Sequence, residues 1–362
     1  MRILLLSNYY PEHVGGIETV AGELAREYRR LGHRVRWLAA DVRERPHRGC
    51  EDDRPLTAWN LAERRFGFPY PLPGPPALAS VRAEAGACDV VHLHDCLYAA
   101  NVAAFAAARR ARKPVLLTQH VAEVPYRSGA VRLLQSAAYG SVGRLLLTGA
   151  DQVVFVSERV RGRFAGLRFR RRPLLIENGI DLGLFKPAPK ARRKRPQLLY
   201  VGRFVEKKGL TLVRELAAAA PEQDWLLVGR PGDVDPAAWR LPNVTVSPPV
   251  DRARLPAVYS AADLLVVPSV GEGFPVAVQE AMACGTPAVV SEETAGSIPG
   301  SEGWLASAPV QRSAFLAVIR ETLRSRGREN RMARSVAEQR WDIKRTAAEY
   351  AAVLKSLLDL RP

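Results

Sequence analysis

The sequence predicts an α/β fold made of two Rossmann-like domains in tandem, facing across a cleft. Three observations carry this. Short apolar runs alternate with helical patterns through the first half of the chain. The alternation breaks at "KPAPKARRKRPQ" (186–197), where Lys and Arg fill five of the six positions 190–195, and then restarts. Several apolar runs end in polar residues, as parallel strands do where ligands bind.

In order, "RILLLSN" reads as a strand, and "GIETVAGELAREYRRLGH" as an amphipathic helix with Val20, Leu24 and Leu31 at roughly helical spacing. "RVRWLAA", "DVVHLHD", "PVLLTQH", "QVVFVS" and "LLIENGID" are further strands. The tails "SNYYPEHVGG", "HLHD" and "TQH" should converge on one sheet edge. "FGFPYPLPGPPA" (66–77) is Pro-rich and reads as a loop. Past the break, "QLLYVGR", "WLLVGR", "VTVS", "DLLVVPS" and "PAVVS" are strands, and "LTLVRELAAAA" and "PVAVQEAMACG" are helices. "AEQRWDIKRTAAEYAAVLKSLL" gives one or two more helices. The boundary falls at 187/188.

Composition narrows the class. The 362 residues, 47% apolar and 25% charged, allow two ordinary domains with large cores. No run of eighteen uncharged apolar residues occurs, so no membrane-spanning helix is expected. "MRILLLSNYYP" reads as a first strand rather than a signal peptide. Cys50, Cys88, Cys96 and Cys284 are far apart, which argues for a reducing cytosol and no disulfide framework. The net charge of +16 admits nucleic acid, anionic lipid or anionic small substrates as partners. Aromatics interleaved on a basic sheet are missing, which disfavours nucleic acid. The absence of GxGxxG counts against a dinucleotide oxidoreductase, and no GxSxG elbow or HExxH motif occurs.

The stretch "GEGFPVAVQEAMACGTPAVVS" (271–291) holds Glu272 and Glu280 eight positions apart. Glu272 follows a strand, where ligands sit. Phe274 and Pro275 start a helix whose N–H groups near Val276, Ala277 and Val278 suit a diphosphate. Glu280 could accept hydrogen bonds from ribose hydroxyls. The competing reading is two surface glutamates on an ordinary helix. In "YVGRFVEKKGL", Arg203 and Lys208 flank a strand end, as a leaving pyrophosphate would require. Lys207 reads as a solvated neighbour. Gly15 and Gly16 precede a helix and would let a ligand approach the backbone. His92, His94 and His120 fall at or beside strand ends. His120 suits a sugar hydroxyl or proton transfer, and His92 reads as buried structure. His92, His94, Cys96 and His120 raise a zinc site as the lesser reading. "DVD" (233–235) reads as a turn rather than a metal chelate. Residues 127–151, long and apolar, and 161–172, basic with two phenylalanines, could dock on anionic lipid. A core helix and a solvated loop is the alternative.

Taken together, these segments resemble glycosyltransferase family 4, with the GT-B fold, from residue 1 to about 357. "YPEHVGGIETVAGELAREYRRLGH", "DVVHLHD", "LLTQH", "VSERV", "ENGIDLGLFKP", "VGRFVEKKGL" and "EGFPVAVQE" follow the family's order, and "RWDIKRTAAEYAAVL" resembles its terminal helix. The resemblance implies a first domain of 1–187 plus a crossover helix at 341–362, which binds the acceptor. It implies a second domain of 188–340, which binds a nucleotide sugar. It implies retaining hexosyl transfer without a metal or other cofactor. Arg203 and Lys208 would then bind the diphosphate, Glu280 the ribose, and Glu272 the transferred sugar. Gly273, Phe274, Pro275 and Val276 would join the donor site, and the base would lie between "VGRPG" and the region around Val250. Gly15, Gly16 and His120 would contact phosphate and sugar. Tyr9, Tyr10 and His94 are expected at the acceptor, a saccharide or lipid-linked glycan of the cell envelope. After Ser291 the sequence "TAGSIPGSEGWLAS" departs from the family's glycine pair and acidic residue. A sugar-nucleotide epimerase, a nucleic-acid-binding protein and a non-catalytic sugar-binding module are the rival readings. The expected location is cytoplasmic, with peripheral attachment to the inner membrane face.

Overall fold

The computed structural model describes residues 1–13, 15–41, 47, 49–60, 70–122, 128–191 and 193–359, with side chains at 326–329 left aside. Val14, Arg127, Arg192 and residues 66–69 of the Pro-rich stretch lie outside the described residues. The chain forms two compact units, Met1–Gly179 with Ile343–Pro362, and Ile180–Asp342.

The first unit contains strands β1 (Arg2–Tyr9), β2 (Arg34–Ala40), β3 (Arg54–Leu56), β4 (Ala58–Trp59), β5 (Leu72–Pro73), β6 (Val90–His94), β7 (Val115–Gln119), β8 (Gln152–Phe155) and β9 (Leu174–Leu175). Seven of them make a parallel sheet in the order β3-β2-β1-β6-β7-β8-β9, while β4 and β5 form a small antiparallel pair. Chain direction across the sheet reverses between β1 and β6. Such a switch point opens a crevice at the carboxyl ends of the strands. β1 is buried on both faces after Arg2, which its continuous apolar run requires.

The helix Gly16–Arg30 buries Val20, Ala21, Leu24, Ala25 and Tyr28, a stripe at three- and four-residue intervals. Against it packs the helix Ile343–Asp359, which buries Tyr350, Leu354 and Leu357. The chain leaves this unit at Gly179. A Cβ there would stand 2.7 Å from the Ile343 Cα, so only glycine fits against the returning helix. The Pro-rich stretch is less loop than its composition suggests. Leu72–Pro73 is β5, and Pro75 occupies the first turn of the helix Pro75–Ala87.

The second unit holds β10 (Gln197–Val201), β11 (Asp224–Val228), β12 (Val244–Ser247), β13 (Leu264–Val267), β14 (Ala288–Ser291) and β15 (Ala306–Ala308). They form a six-stranded parallel sheet in the order β12-β11-β10-β13-β14-β15, with its own switch point between β10 and β13. Leu198, Tyr200, Leu216, Trp225, Phe315 and Ile319 belong to its core. Both units therefore have the doubly wound architecture expected of a two-domain Rossmann-like GT-B fold.

The division between the units differs from the predicted 187/188. It falls eight residues earlier, because 180–196 is anchored in the second unit. Phe185 is fully buried, Ala188 N donates to Ser260 Oγ at 3.0 Å, and Lys190 pairs with Asp263 at 2.8 Å. The charge run looks like a linker in sequence, but its members Lys190 and Arg195 are ion-paired within the unit.

Candidate functional site

In the second unit, the loop after β10 and the loop after β13 leave neighbouring strands at the switch point. Backbone contacts lock them together. Val270 N donates to Lys207 O at 3.0 Å. Gly209 has φ +78°, and a Cβ on it would come within 2.3 Å of Pro268 O. This glycine thus serves both the left-handed turn and the close approach of the two loops.

Lys208 Nζ consequently donates to Glu272 Oε1. Burial alone would raise the Glu272 pKa. Lys208, by its charge and its hydrogen bond, and then Lys207 hold the carboxyl below its usual range. Lys207 is lowered to about 8, first by burial and then by the charges of Lys208 and Arg203. Lys207 and Lys208 thus both act on the Glu272 carboxylate, and Arg203 acts on Lys207. Sequence reasoning treated Lys207 as solvated, because adjacent lysines give no sign of which one is buried. Tyr200 supports the arrangement from below, its hydroxyl donating to Arg203 O at 2.8 Å.

The helix Val276–Ala283 follows, with Pro275 as its N-cap. Val278 N is already engaged with Pro275 O at 3.0 Å, so the N–H groups of Val276 and Ala277 are the ones left at the helix start. This corrects the expectation for Val278. Phe274 is buried with its ring edge-on to Trp341 and supports the loop from inside. Gly273 and Val276 are half-buried. Glu280 is 7% exposed, and Tyr259 OH donates to its Oε2 at 2.8 Å. It is therefore neither of the two surface glutamates of the competing reading. Tyr259, twenty-one positions away, gave no signal in sequence. Val250 is half-buried in the segment after β12.

The altered stretch after Ser291 begins in a short capped helix, Glu292–Ala295. Ser291 Oγ accepts from Thr294 N at 3.1 Å and donates to Ser269 O at 2.6 Å. Glu293 Oε1 accepts from Gly271 N at 2.7 Å, which ties this turn to the Glu272 loop. "DVD" is structural: Asp233 Oδ1 accepts from Glu206 N, and Asp235 Oδ1 from Ala237 N.

In the first unit, the ends of β6 and β7 carry a buried polar cluster. His94 Nδ1 lies 2.8 Å from His120 Nε2. Burial lowers His120 to about 3 and keeps it uncharged at neutral pH. His92 is likewise lowered to about 3 by burial and then by His120, and its Nε2 lies 2.9 Å from Thr118 Oγ1. His94 is also held well below the usual range by burial and by its histidine neighbours. Asp95 has φ +64°, and its Oδ1 accepts from the N–H groups of His120 at 2.7 Å and Val121 at 3.3 Å. Burial raises Asp95 to about 7 against those two bonds. Asp95 was passed over in sequence, because its partners come from the next strand. The only trace is its place at the end of "HLHD".

Tyr9, Tyr10 and His94, expected at the acceptor, are core residues. Tyr9 stacks on His13 and donates to Asn60 Oδ1 at 3.1 Å, while Tyr10 stacks on His47 and donates to Trp37 O at 2.9 Å. All three are buried. Aromatics at a strand end pack inward here, since the following segment folds over them. Gly15 caps the first helix, and a Cβ there would strike the Glu18 carboxylate. Gly16 is that helix's first residue. Among the described residues, no group of three or more His, Cys, Asp or Glu could hold a metal ion.

Comparison with known proteins divides the chain much as the fold does. Residues 14–184 match the family model described as Glycosyltransferase Family 4, and residues 195–325 match Glycosyl transferases group 1. A D-inositol 3-phosphate glycosyltransferase of Xylanimonas cellulosilytica is 31% identical over 245 residues, 58% of this chain and 58% of that protein. One from Segniliparus rotundus is 35% identical over 147 residues, 34% of this chain and 32% of that protein. The alignments thus span between a third and three-fifths of these relatives. Among solved structures, sucrose-phosphate synthase from Thermosynechococcus elongatus superposes with a TM-score of 0.79 at 21% identity, covering 100% of both chains. Anabaena HepE in complex with UDP-glucose superposes at 0.75 and 21% identity, covering 98% of this chain and 100% of that one.

Proposed function

We propose that this chain, which belongs to glycosyltransferase family 4, moves a hexose from a nucleoside-diphosphate sugar to an acceptor hydroxyl. One observation carries the reading: Lys207 and Lys208 hold the Glu272 carboxylate at a switch point, with Arg203 acting on Lys207. Charge of that sign at that place favours a diphosphate, most of all as its bond to the sugar breaks. The start of the helix Val276–Ala283 adds donors for the same group. In this reading Glu280 holds the ribose and Glu272 the transferred sugar. Gly15, Gly16 and His120 are assigned to the sugar and phosphate from the first unit.

Transfer proceeds with retention. The acceptor oxygen bonds to the anomeric carbon on the face from which the diphosphate leaves, and the acceptor's proton passes to the β-phosphate. In this reading Arg203, Lys207 and Lys208 meet the developing charge, and no bound metal is needed. Excess EDTA should leave turnover unchanged, and NMR of the product should show the donor's anomeric configuration. Inversion would remove the front-face route.

The acceptor is read as a lipid-linked or envelope glycan. The relatives' names offer D-inositol 3-phosphate as a second reading, a small phosphorylated polyol. A thermal-shift panel of UDP, GDP, ADP and dTDP sugars, followed by assays with each acceptor class, tests both. Donor consumption without any acceptor, giving an isomerised sugar nucleotide, would favour an epimerase instead. The glycosyltransferase names of the relatives support transfer.

A further inference from the structure

The neutral edge of the first unit holds a contact that the transfer reading leaves unused. His94 is the last residue of β6, and Thr118 stands opposite it on β7. Side chains two residues apart on a strand share a face, so His120 comes up beside His94. The two rings are tilted by only 19°, and His94 Nδ1 lies 2.8 Å from His120 Nε2, the distance of a direct hydrogen bond. Both residues are held from behind. Asn101 Nδ2 donates to the carbonyls of His94 and Asp95 at 2.7 Å each, and Asp95 Oδ1 accepts from His120 N at 2.7 Å.

Burial keeps both rings uncharged, so each carries one proton. One of these protons lies between the rings, and two arrangements are open. If His120 donated it, the proton of His94 would sit on Nε2. That atom is buried and has no hydrogen-bond partner. An orphaned N–H is the arrangement that interiors tolerate least. If His94 donates from Nδ1, its Nε2 is only a bare lone pair. The proton of His120 then sits on Nδ1, which makes no hydrogen bond among the described residues.

His92, with its ring centre 4.5 Å from that of His94, takes the opposite tautomer. Thr118 Oγ1 donates to Tyr350 OH at 3.4 Å, so it accepts from His92 Nε2 at 2.9 Å. His92 Nδ1 is left to accept from Tyr28 OH at 3.3 Å. Two histidines on one face of one strand thus carry their protons on different nitrogens, and their partners decide which.

We infer that His94 is a positioning residue for the transfer reaction: it donates from Nδ1 to His120 Nε2, and so makes His120 an Nδ1–H donor for a hydroxyl oxygen of the transferred sugar. The inference rests on the reading that assigns His120 to the sugar. It also decides between the two roles open to that residue. His120 can hold a hydroxyl oxygen, but its one lone pair is occupied by His94 and cannot take a proton. The β-phosphate is left as the destination of the acceptor's proton.

Long-range proton–nitrogen NMR of the full chain, made with isotopically labelled histidine, reads each tautomer at neutral pH without a ligand. His94 and His120 should both show a protonated Nδ1 and a bare Nε2, and His92 the reverse. A protonated Nε2 on His120 would overturn the inference, whether or not any variant folds. His94→Phe fills the space without a donor. His120 should then gain a proton on Nε2, and kcat should fall about tenfold. His94→Asn keeps an N–H near the Nδ1 position and should restore both the tautomer and most of the rate. Binding of a nucleoside diphosphate without its sugar should be the same in all three proteins. Unchanged kcat in His94→Phe would overturn the inference, as would a loss of nucleoside-diphosphate binding equal to the loss of rate, since the sugar would then not be what His94 serves. The tautomers are read without donor, so a wrong tautomer leaves the transfer reading standing. A chain that transfers no sugar from any donor would strike that reading while the tautomers stayed as measured.

Discussion

At the carboxyl edge of the first sheet, His92, His94 and His120 are buried and uncharged, and Asp95, pushed to about 7, is close to half-protonated. At the corresponding edge of the second sheet, Arg203, Lys207, Lys208 and Glu272 are ionic and only partly covered. Both edges sit at a switch point of the same topology, so the difference lies in side chains and not in fold. A neutral, hydrogen-bonding edge suits hydroxyl groups, which carry no charge through the reaction. An edge with surplus positive charge suits a group whose negative charge grows.

The largest test strikes the neutral edge. Unfolded histidines protonate near pH 6.5, while His92 and His120 in the folded chain wait until about 3. The unfolded state therefore binds more protons, and stability falls as pH drops below 6.5. Asp95 opposes this, because its raised pKa makes the folded state take up a proton first. With three histidines against one carboxyl, about two protons remain, or roughly 5 kcal/mol lost over two pH units. Urea midpoints measured from pH 7 to 4.5 check this. A flat profile would mean the histidines are hydrated rather than buried.

Next comes the charged edge. Lys208→Ala removes the partner of Glu272 and, in the proposed reading, one diphosphate donor, and should cut kcat by about a hundred- to a thousandfold. Lys208→Arg should recover part of it. Full activity in the alanine variant, assayed with the preferred donor, would detach this edge from the chemistry.

Asp95→Ala strands the His120 and Val121 N–H groups and places alanine at φ +64°, costing about 1–3 kcal/mol by urea titration. Asp95→Asn keeps an acceptor and should cost less than the alanine. Equal losses in both would show that charge, not hydrogen bonding, is what Asp95 supplies.

The smallest effect belongs to Lys207. Above its pKa of about 8 the free protein loses that charge, whereas a bound diphosphate would retain the proton. Affinity for a nucleoside diphosphate should therefore fall as pH rises past 8, by at most about tenfold per unit. In Lys207→Met, calorimetry should find weaker binding and no such slope.

Much of this contrast was legible in the sequence. Strand-terminal "HLHD", "TQH" and "VGRFVEKK" announced polar edges, because a buried parallel strand reads as an unbroken apolar run until it surfaces. What stayed hidden depends on partners far along the chain. Asp95 becomes a backbone acceptor only when β7 lies beside β6, and Glu280 meets Tyr259 only once two helices pack. Tyr9 and Tyr10 illustrate a second limit: an aromatic at a strand end can point either way, and here Tyr9 stacks on His13 and Tyr10 on His47. Charge misled at 190–195, where paired and solvated cations look alike.

Ile180 and Asp342 form a parallel bridge, and Ile180 N donates to Trp341 O at 2.8 Å. The second unit is thus an insert whose two ends are clipped together, while the first is discontinuous. The insert holds all of its own strands, so it can close by itself. The flanking portion cannot complete its interior until Tyr350, Leu354 and Leu357, which lie beyond the insert, have joined it.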